Sequence, residues 1–92
     1  MPAVLKFNEP FIRERFDHVA RFLGIDGGFD GFCEFVDRFN DSFEIPRTLT
    51  VLGVESPNLD SLVDAALRDP SVGGNPIAMT AANTRALFEA VL

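Results

Sequence analysis

Phe29-Asp30-Gly31-Phe32-Cys33-Glu34-Phe35-Val36-Asp37-Arg38-Phe39-Asn40-Asp41-Ser42-Phe43 is the stretch whose reading decides the fold. Phe29, Phe32, Val36, Phe39 and Phe43 recur at intervals of three, four, three and four, the period of one face of an α-helix. Phe35 broadens this stripe, while Asp30, Glu34, Asp37, Arg38 and Asp41 fall on the other side. Asp30 and Glu34 lie near the start, where the helix dipole favours negative charge. Pro46 lies just past the end. Burying one Phe side chain is favourable by roughly 1.5–3 kcal/mol, so this face is expected to supply a major part of the core.

Outward from this helix the same period recurs. Toward the N-terminus, Ile12, Phe16, Val19 and Leu23 share a face between Glu9 and Leu23, and Gly24 is a natural C-terminal stop. Phe11, Ala20 and Phe22 widen that face, and Glu14, Asp17, His18 and Arg21 oppose it. Toward the C-terminus, Pro46–Leu52 reads as a short helix with Leu49 and Leu52 inward and Gly53-Val54 as a left-handed cap. Ser56-Pro57 opens the next helix, with Ser56 as N-cap and Asp60 in the first turn. Leu59, Leu62, Val63, Ala66 and Leu67 form its buried face, and Asp69-Pro70 ends it. Residues 70–79 read as the longest loop. Thr80 caps a last helix whose apolar side is Leu87, Phe88 and Val91. No segment alternates like a strand. The expected fold is all-α: a single compact bundle of four longer helices plus one short helix, without a sheet, forming one domain over 1–92.

Length and charge limit the function. A chain of 92 residues supports one modest core, too little for both a cofactor domain and a substrate domain. Eight Lys+Arg stand against 14 Asp+Glu, a net charge of −6, and neither half carries a basic stripe. Duplex nucleic acid and anionic membrane surfaces, which are held mainly by Lys and Arg, are therefore disfavoured as partners. No run approaches the length of a membrane span, and the N-terminus lacks the pattern of a secretory signal. The single cysteine, Cys33, excludes an intrachain disulfide and points to a reducing compartment, so the expected location is the cytoplasm.

Candidate chemistry is sparse. His18, the one histidine, phases onto a polar face between Glu14 and Arg21 and reads as solvated. Cys33 sits at the edge of the Phe stripe and reads as a small apolar residue rather than a nucleophile. Asp26, Asp30, Gly31 and Asp37 match four positions of a calcium loop. However, Gly28 stands at the third position, no bidentate Glu closes the loop, and the helix claims the same residues. Gly27-Gly28 reads as a helix–helix turn rather than a dinucleotide fingerprint, since no strand precedes it. Gly73-Gly74-Asn75-Pro76 lies between two helices, where glycines allow close approach of backbone or ligand.

Several motifs together carry a family resemblance. Met1-Pro2-Ala3-Val4-Leu5-Lys6-Phe7-Asn8 and Phe16-Asp17-His18-Val19-Ala20-Arg21-Phe22-Leu23-Gly24 are followed by Ile45-Pro46-Arg47-Thr48-Leu49, Leu52-Gly53-Val54, Ala65-Ala66-Leu67-Arg68-Asp69 and Gly73-Gly74-Asn75-Pro76. In order and spacing they resemble the C-terminal part of the helical domain of the iron-containing, metal-dependent (group III) alcohol dehydrogenases. The resemblance implies an oxidoreductase that uses NAD(P) and Fe2+ or Zn2+. Both would be held by parts of the enzyme preceding the segment that this chain resembles, so the chain is expected to begin just after the last metal ligand. No residue here is carried over as catalytic, cofactor-binding or metal-binding. The resemblance places Ser71, Val72, Gly73, Gly74 and Asn75 at the wall of the substrate pocket. Ile77 departs from the family, where Arg commonly follows Asn-Pro.

Two functional readings follow. In the first, the chain is the structural C-terminal segment of such a dehydrogenase, inactive alone, with the rest of the enzyme as partner. In the second, it is a free-standing helical interaction module. Nine of the ten Phe lie between residues 7 and 43, which favours a homo-oligomer built through the Phe-rich helices.

Overall fold

The computed structural model describes residues 1–55 and 57–92. It contains four α-helices, α1 (Pro2–Leu23), α2 (Gly28–Ser42), α3 (Leu59–Arg68) and α4 (Ala81–Glu89), and one 3-10 turn, Pro70–Gly74. No strand occurs among the described residues, in agreement with the all-α expectation. The chain forms two compact units, Met1–Pro46 and Arg47–Leu92.

The first unit is an αα-hairpin. Gly24 ends α1 in the left-handed conformation (φ 72°), and its N–H reaches the carbonyls of Ala20 and Arg21. Gly27 and Gly28 also take positive φ, so the connection reverses within four residues. At Gly31 a Cβ would stand 1.8 Å from the Asp26 carbonyl oxygen, so only glycine lets α2 start this close to the turn. No local side chain caps α2. Instead Asp17 of α1 reaches across, its Oδ1 accepting from the Phe29 backbone N–H at 2.7 Å. Arg13 ties the helices further: its guanidinium donates to Glu9 and Asp30 and lies 5.1 Å from the Phe29 ring centroid. These carboxylates hold the Arg13 pKa above its ordinary value.

Helix α1 starts at Pro2, well before the expected Glu9, and runs through Pro10, which lacks only one backbone donor. Its buried residues are Leu5, Asn8 and Ala20. Val19 and Leu23, expected inside, are exposed, because α2 packs on the Phe16 and Ala20 side. On α2, Phe29 and Val36 are buried as the stripe requires, but Phe35, Phe39 and Phe43 are exposed. The aromatic chain starts inside the hairpin, with Phe16 edge-on to Phe29 and Phe32 at 6.2 and 4.9 Å between centroids. It then passes outward through Phe35 and Phe39 to Phe43.

In the second unit, the short helix expected over Pro46–Leu52 is a series of turns. Thr48, Thr50 and Val51 are β-branched and poor helix formers, and the Leu49 N–H is drawn to the Val91 carbonyl at 2.7 Å. The expected cap nevertheless forms. Gly53 has φ 84°, and the Val54 N–H returns to the Leu49 carbonyl at 3.1 Å. Leu52, expected inward, is exposed. The Ser56 cap expected for α3 lies outside the described residues; the helix begins at Leu59 with Asn58 as its cap. Val63 is buried, and α3 packs on α4 and on the 3-10 turn. Arg85 of α4 forms an ion pair with Asp60 of α3.

Candidate functional site

The residues expected near a substrate pocket occupy one short element. Pro70–Gly74 form the 3-10 turn and Asn75 is its C-cap, where a plain loop was expected. Asp69-Pro70-Ser71 explains the difference: Pro70 takes the first helical position, and Asp69 Oδ1 accepts from the Ser71 N–H at 2.7 Å. The Ser71 backbone and side-chain hydrogen bonds hold the Asp69 carboxyl below its ordinary pKa. That cap signature was readable as Asp followed by Pro.

The far end is anchored by Asn75. Its N–H reaches the Val72 carbonyl, and its side-chain amide donates to the Ile77 carbonyl at 2.8 Å. The chain then enters α4 through a capping box. The Asn83 N–H donates to Thr80 Oγ1 at 3.2 Å, and the Thr80 N–H donates to Asn83 Oδ1 at 2.8 Å. Ser71–Asn75 is thus held at both ends by side-chain acceptors and donors, which fixes its backbone without burying it.

Gly73 and Gly74 stand apart from the hairpin glycines. Neither has positive φ, and a Cβ at either would meet nothing within 4 Å. Nothing within the described chain requires glycine there. What the pair offers is bare, exposed backbone on a fixed turn. Val72 is half-buried, and Ser71 is exposed.

The second unit, which holds this turn, contains no histidine or cysteine in its sequence. His18 lies exposed on α1, in the other unit. Cys33 is half-buried, and desolvation followed by the Asp30 charge pushes its thiol pKa up, which suppresses the thiolate. Helix α2 claims Asp30, Gly31 and Asp37, so these residues do not form a calcium loop. Among the described residues no group of three His, Cys, Asp or Glu could hold a metal ion. Among the described residues no helix is long and apolar enough to cross a membrane.

Comparison with known proteins then decides the family. The description "Fe-containing alcohol dehydrogenase family, C-terminal" matches residues 1–92. The chain belongs to the iron-containing alcohol dehydrogenases. It is 30% identical over 83 residues to lactaldehyde reductase of Escherichia coli K12, a match covering 83% of this chain and 22% of that protein. It is 27% identical over 100 residues to the NADPH-dependent butanol dehydrogenase of Clostridium saccharobutylicum, covering 99% of this chain and 26% of that protein. No solved structure gives a significant match. This dehydrogenase segment therefore corresponds to about a quarter of its relatives' length. The iron and NAD(P) of the family do not fit the donors present in it: its one histidine is exposed and stands in no ligand group, and Gly27-Gly28 is a helix–helix turn.

Proposed function

We propose that this chain serves as the C-terminal helical part of a cytoplasmic NAD(P)-dependent, iron-containing alcohol dehydrogenase, in which Ser71, Val72, Gly73, Gly74 and Asn75 form one wall of the substrate pocket. The rest of the dehydrogenase is its partner, and the chain is not catalytic alone. The observation that carries this reading is the exposed Gly73-Gly74 backbone, held by Asp69 and Asn75, where a Cβ at either glycine would meet nothing within 4 Å. A fixed, side-chain-free surface suits close approach by a small substrate. The names of the relatives, lactaldehyde reductase and butanol dehydrogenase, support a small aldehyde or alcohol as the substrate class. In the complete enzyme the metal and nicotinamide would supply carbonyl polarisation and hydride transfer. The turn would shape the cavity and exclude water.

A chimera tests this. The C-terminal segment of the E. coli lactaldehyde reductase is replaced by this chain, and Gly73→Val is then introduced. The expected result is a rise of about tenfold in the aldehyde KM, as a methyl-bearing side chain fills contact space, with the nucleotide KM unchanged. An aldehyde KM that does not move would refute the pocket-wall assignment.

A second reading, self-association through the Phe-rich helices, is favoured by the exposure of Phe11, Phe22, Phe35, Phe39 and Phe43 in the first unit. Light scattering reporting a monomer of 10.1 kDa would exclude it.

A further inference from the structure

Two asparagine amides hold the chain between the 3-10 turn and α4. Asn75 Nδ2 donates to the Ile77 carbonyl at 2.8 Å and to Met79 Sδ at 3.4 Å. Asn83 Nδ2 donates to the Ala78 carbonyl at 3.0 Å, and Asn83 Oδ1 accepts from the Thr80 N–H at 2.8 Å. Three of these bonds end on backbone groups, whose chemistry is fixed. The fourth ends on a thioether, a weak acceptor that a peroxide converts into a sulfoxide. All of these contacts lie within one continuous segment, residues 75–83, so they do not depend on what covers the outer faces of the chain.

The chain's sulfur atoms belong to Met1, Cys33 and Met79, and they separate by reactivity. Cys33 reacts through its thiolate, which desolvation suppresses. A thioether needs no deprotonation, so the methionines react at a pH where Cys33 does not. Met1 is 71% exposed at the chain start, far in sequence from the turn. Met79 is half-buried, and it is the methionine bonded to the residue that caps the turn.

We propose that Met79 is a peroxide-sensitive modification site, and that its sulfoxide releases Asn75 and loosens the Ser71–Asn75 turn. The Met79 Sδ lone pair attacks one oxygen of hydrogen peroxide. The O–O bond breaks and an S–O bond forms. Sulfur is oxidised by two electrons, and the second oxygen leaves as water after taking the proton of the transferred one. Both sulfoxide epimers break the Asn75 contact. Oxygen added on the Asn75 side fills the space through which the amide N–H reaches sulfur. Oxygen added on the far side leaves sulfur electron-poor, so it no longer accepts. The half-buried S–O dipole also calls for hydration, which draws the Met79 side chain outward. Asn75 transmits the change, because its own N–H closes the turn onto the Val72 carbonyl at 3.2 Å. Reduction by a thiol-dependent sulfoxide reductase restores the thioether. The modification site stands without the dehydrogenase reading; where the turn forms a pocket wall, as proposed above, the oxidation regulates that wall.

The full chain is treated with hydrogen peroxide at about pH 6, where the thiol stays protonated. Peptide mass mapping follows oxygen addition at Met1 and Met79, and NMR-detected hydrogen exchange reads the Asn75 N–H, with the Gly24 N–H of the first unit as reference. Oxidation of Met79 is expected to speed exchange at Asn75 by about fivefold or more, the equivalent of one lost hydrogen bond, and to leave Gly24 unchanged. In Met79→Leu, which keeps Met1 and Cys33, peroxide should not alter Asn75 exchange. Unchanged exchange at Asn75 in chains that carry the Met79 sulfoxide overturns the proposal. So does a Met79→Leu variant that responds to peroxide as the wild type does, or a Met79 that stays reduced when Met1 is fully oxidised.

Discussion

Asp17 Oδ1 accepts a 2.7 Å hydrogen bond from the Phe29 backbone N–H, so the middle of α1 caps the start of α2. The cap acts between helices, twelve residues apart in sequence, and it stands where Gly27 provides no side chain. Asp17→Ala should therefore loosen the whole hairpin, costing about 1 kcal/mol as N-cap removals typically do. Asp17→Asn retains an acceptor oxygen and should cost less. Thermal melts of the two variants check this; equal losses would show that the carboxylate acts through charge rather than as the cap.

The glycines separate into two kinds, and substitution should tell them apart. A Cβ on Gly31 would lie 1.8 Å from the Asp26 carbonyl oxygen, whereas one on Gly73 would meet nothing within 4 Å. Gly31→Ala forces α2 away from its turn and should destabilise by about 2 kcal/mol or more, in the range of overpacking. Gly73→Ala should change stability by less than about 0.5 kcal/mol, as surface substitutions do. Chemical denaturation of both variants is the measurement.

The sequence period was sufficient for α2, because a run of Phe at three- and four-residue spacing has only one regular solution. It was insufficient for deciding which Phe are covered. Phe39 and Phe43 share the stripe with Phe29, yet they are exposed, since periodicity reports a face and not the extent of its partner. On α1, spacing placed Val19 and Leu23 inward with Ala20 at the margin of their face, but the side that α2 covers includes Ala20, which is fully buried, and leaves Val19 and Leu23 exposed. At Pro46–Leu52, local helix signals lost to a long-range hydrogen bond from Leu49 to Val91 that no window of sequence contains. The Ser71–Asn75 turn was located by resemblance, whereas its rigidity came from Asp69 and Asn75, whose roles depend on backbone geometry.

Asp69 gives a pH signature. Its carboxyl is held below the ordinary 3.8 by the Ser71 hydrogen bonds. A depressed folded-state pKa stabilises the fold above the unfolded value and loses that contribution as pH falls through the folded value. The 3-10 turn should thus be fully capped at neutral pH and progressively uncapped below about pH 4. Asp69→Ala should lower Tm at neutral pH, and the gap to wild type should narrow on acidification below that point. A gap independent of pH would remove Asp69 as the source.

Cys33 should react slowly. Burial raises its thiol above the ordinary 9.0, with Asp30 adding to the effect, so the thiolate fraction at neutral pH is smaller than in a free thiol. Modification by a disulfide reagent should lag behind that of a free cysteine at neutral pH and accelerate as pH rises toward and past 9. Reaction as fast as that of free cysteine would contradict the half-buried setting.

Thr84 offers the sharpest test of the second unit. It is buried within α4, and its Oγ1 has no hydrogen-bond partner among the described residues. A buried hydroxyl without a partner costs about 1–3 kcal/mol relative to a satisfied one. Valine keeps the branched shape and replaces the oxygen by a methyl, so Thr84→Val should raise stability by about 1 kcal/mol, a gain of several degrees in Tm for a chain of this size. Its direction is opposite to that of most core substitutions, because it removes a desolvated polar atom without opening a cavity. A fall in Tm would mean that the hydroxyl is satisfied in solution. In that case Thr84→Ser, which retains the oxygen but loses a methyl, should prove less damaging than Thr84→Val.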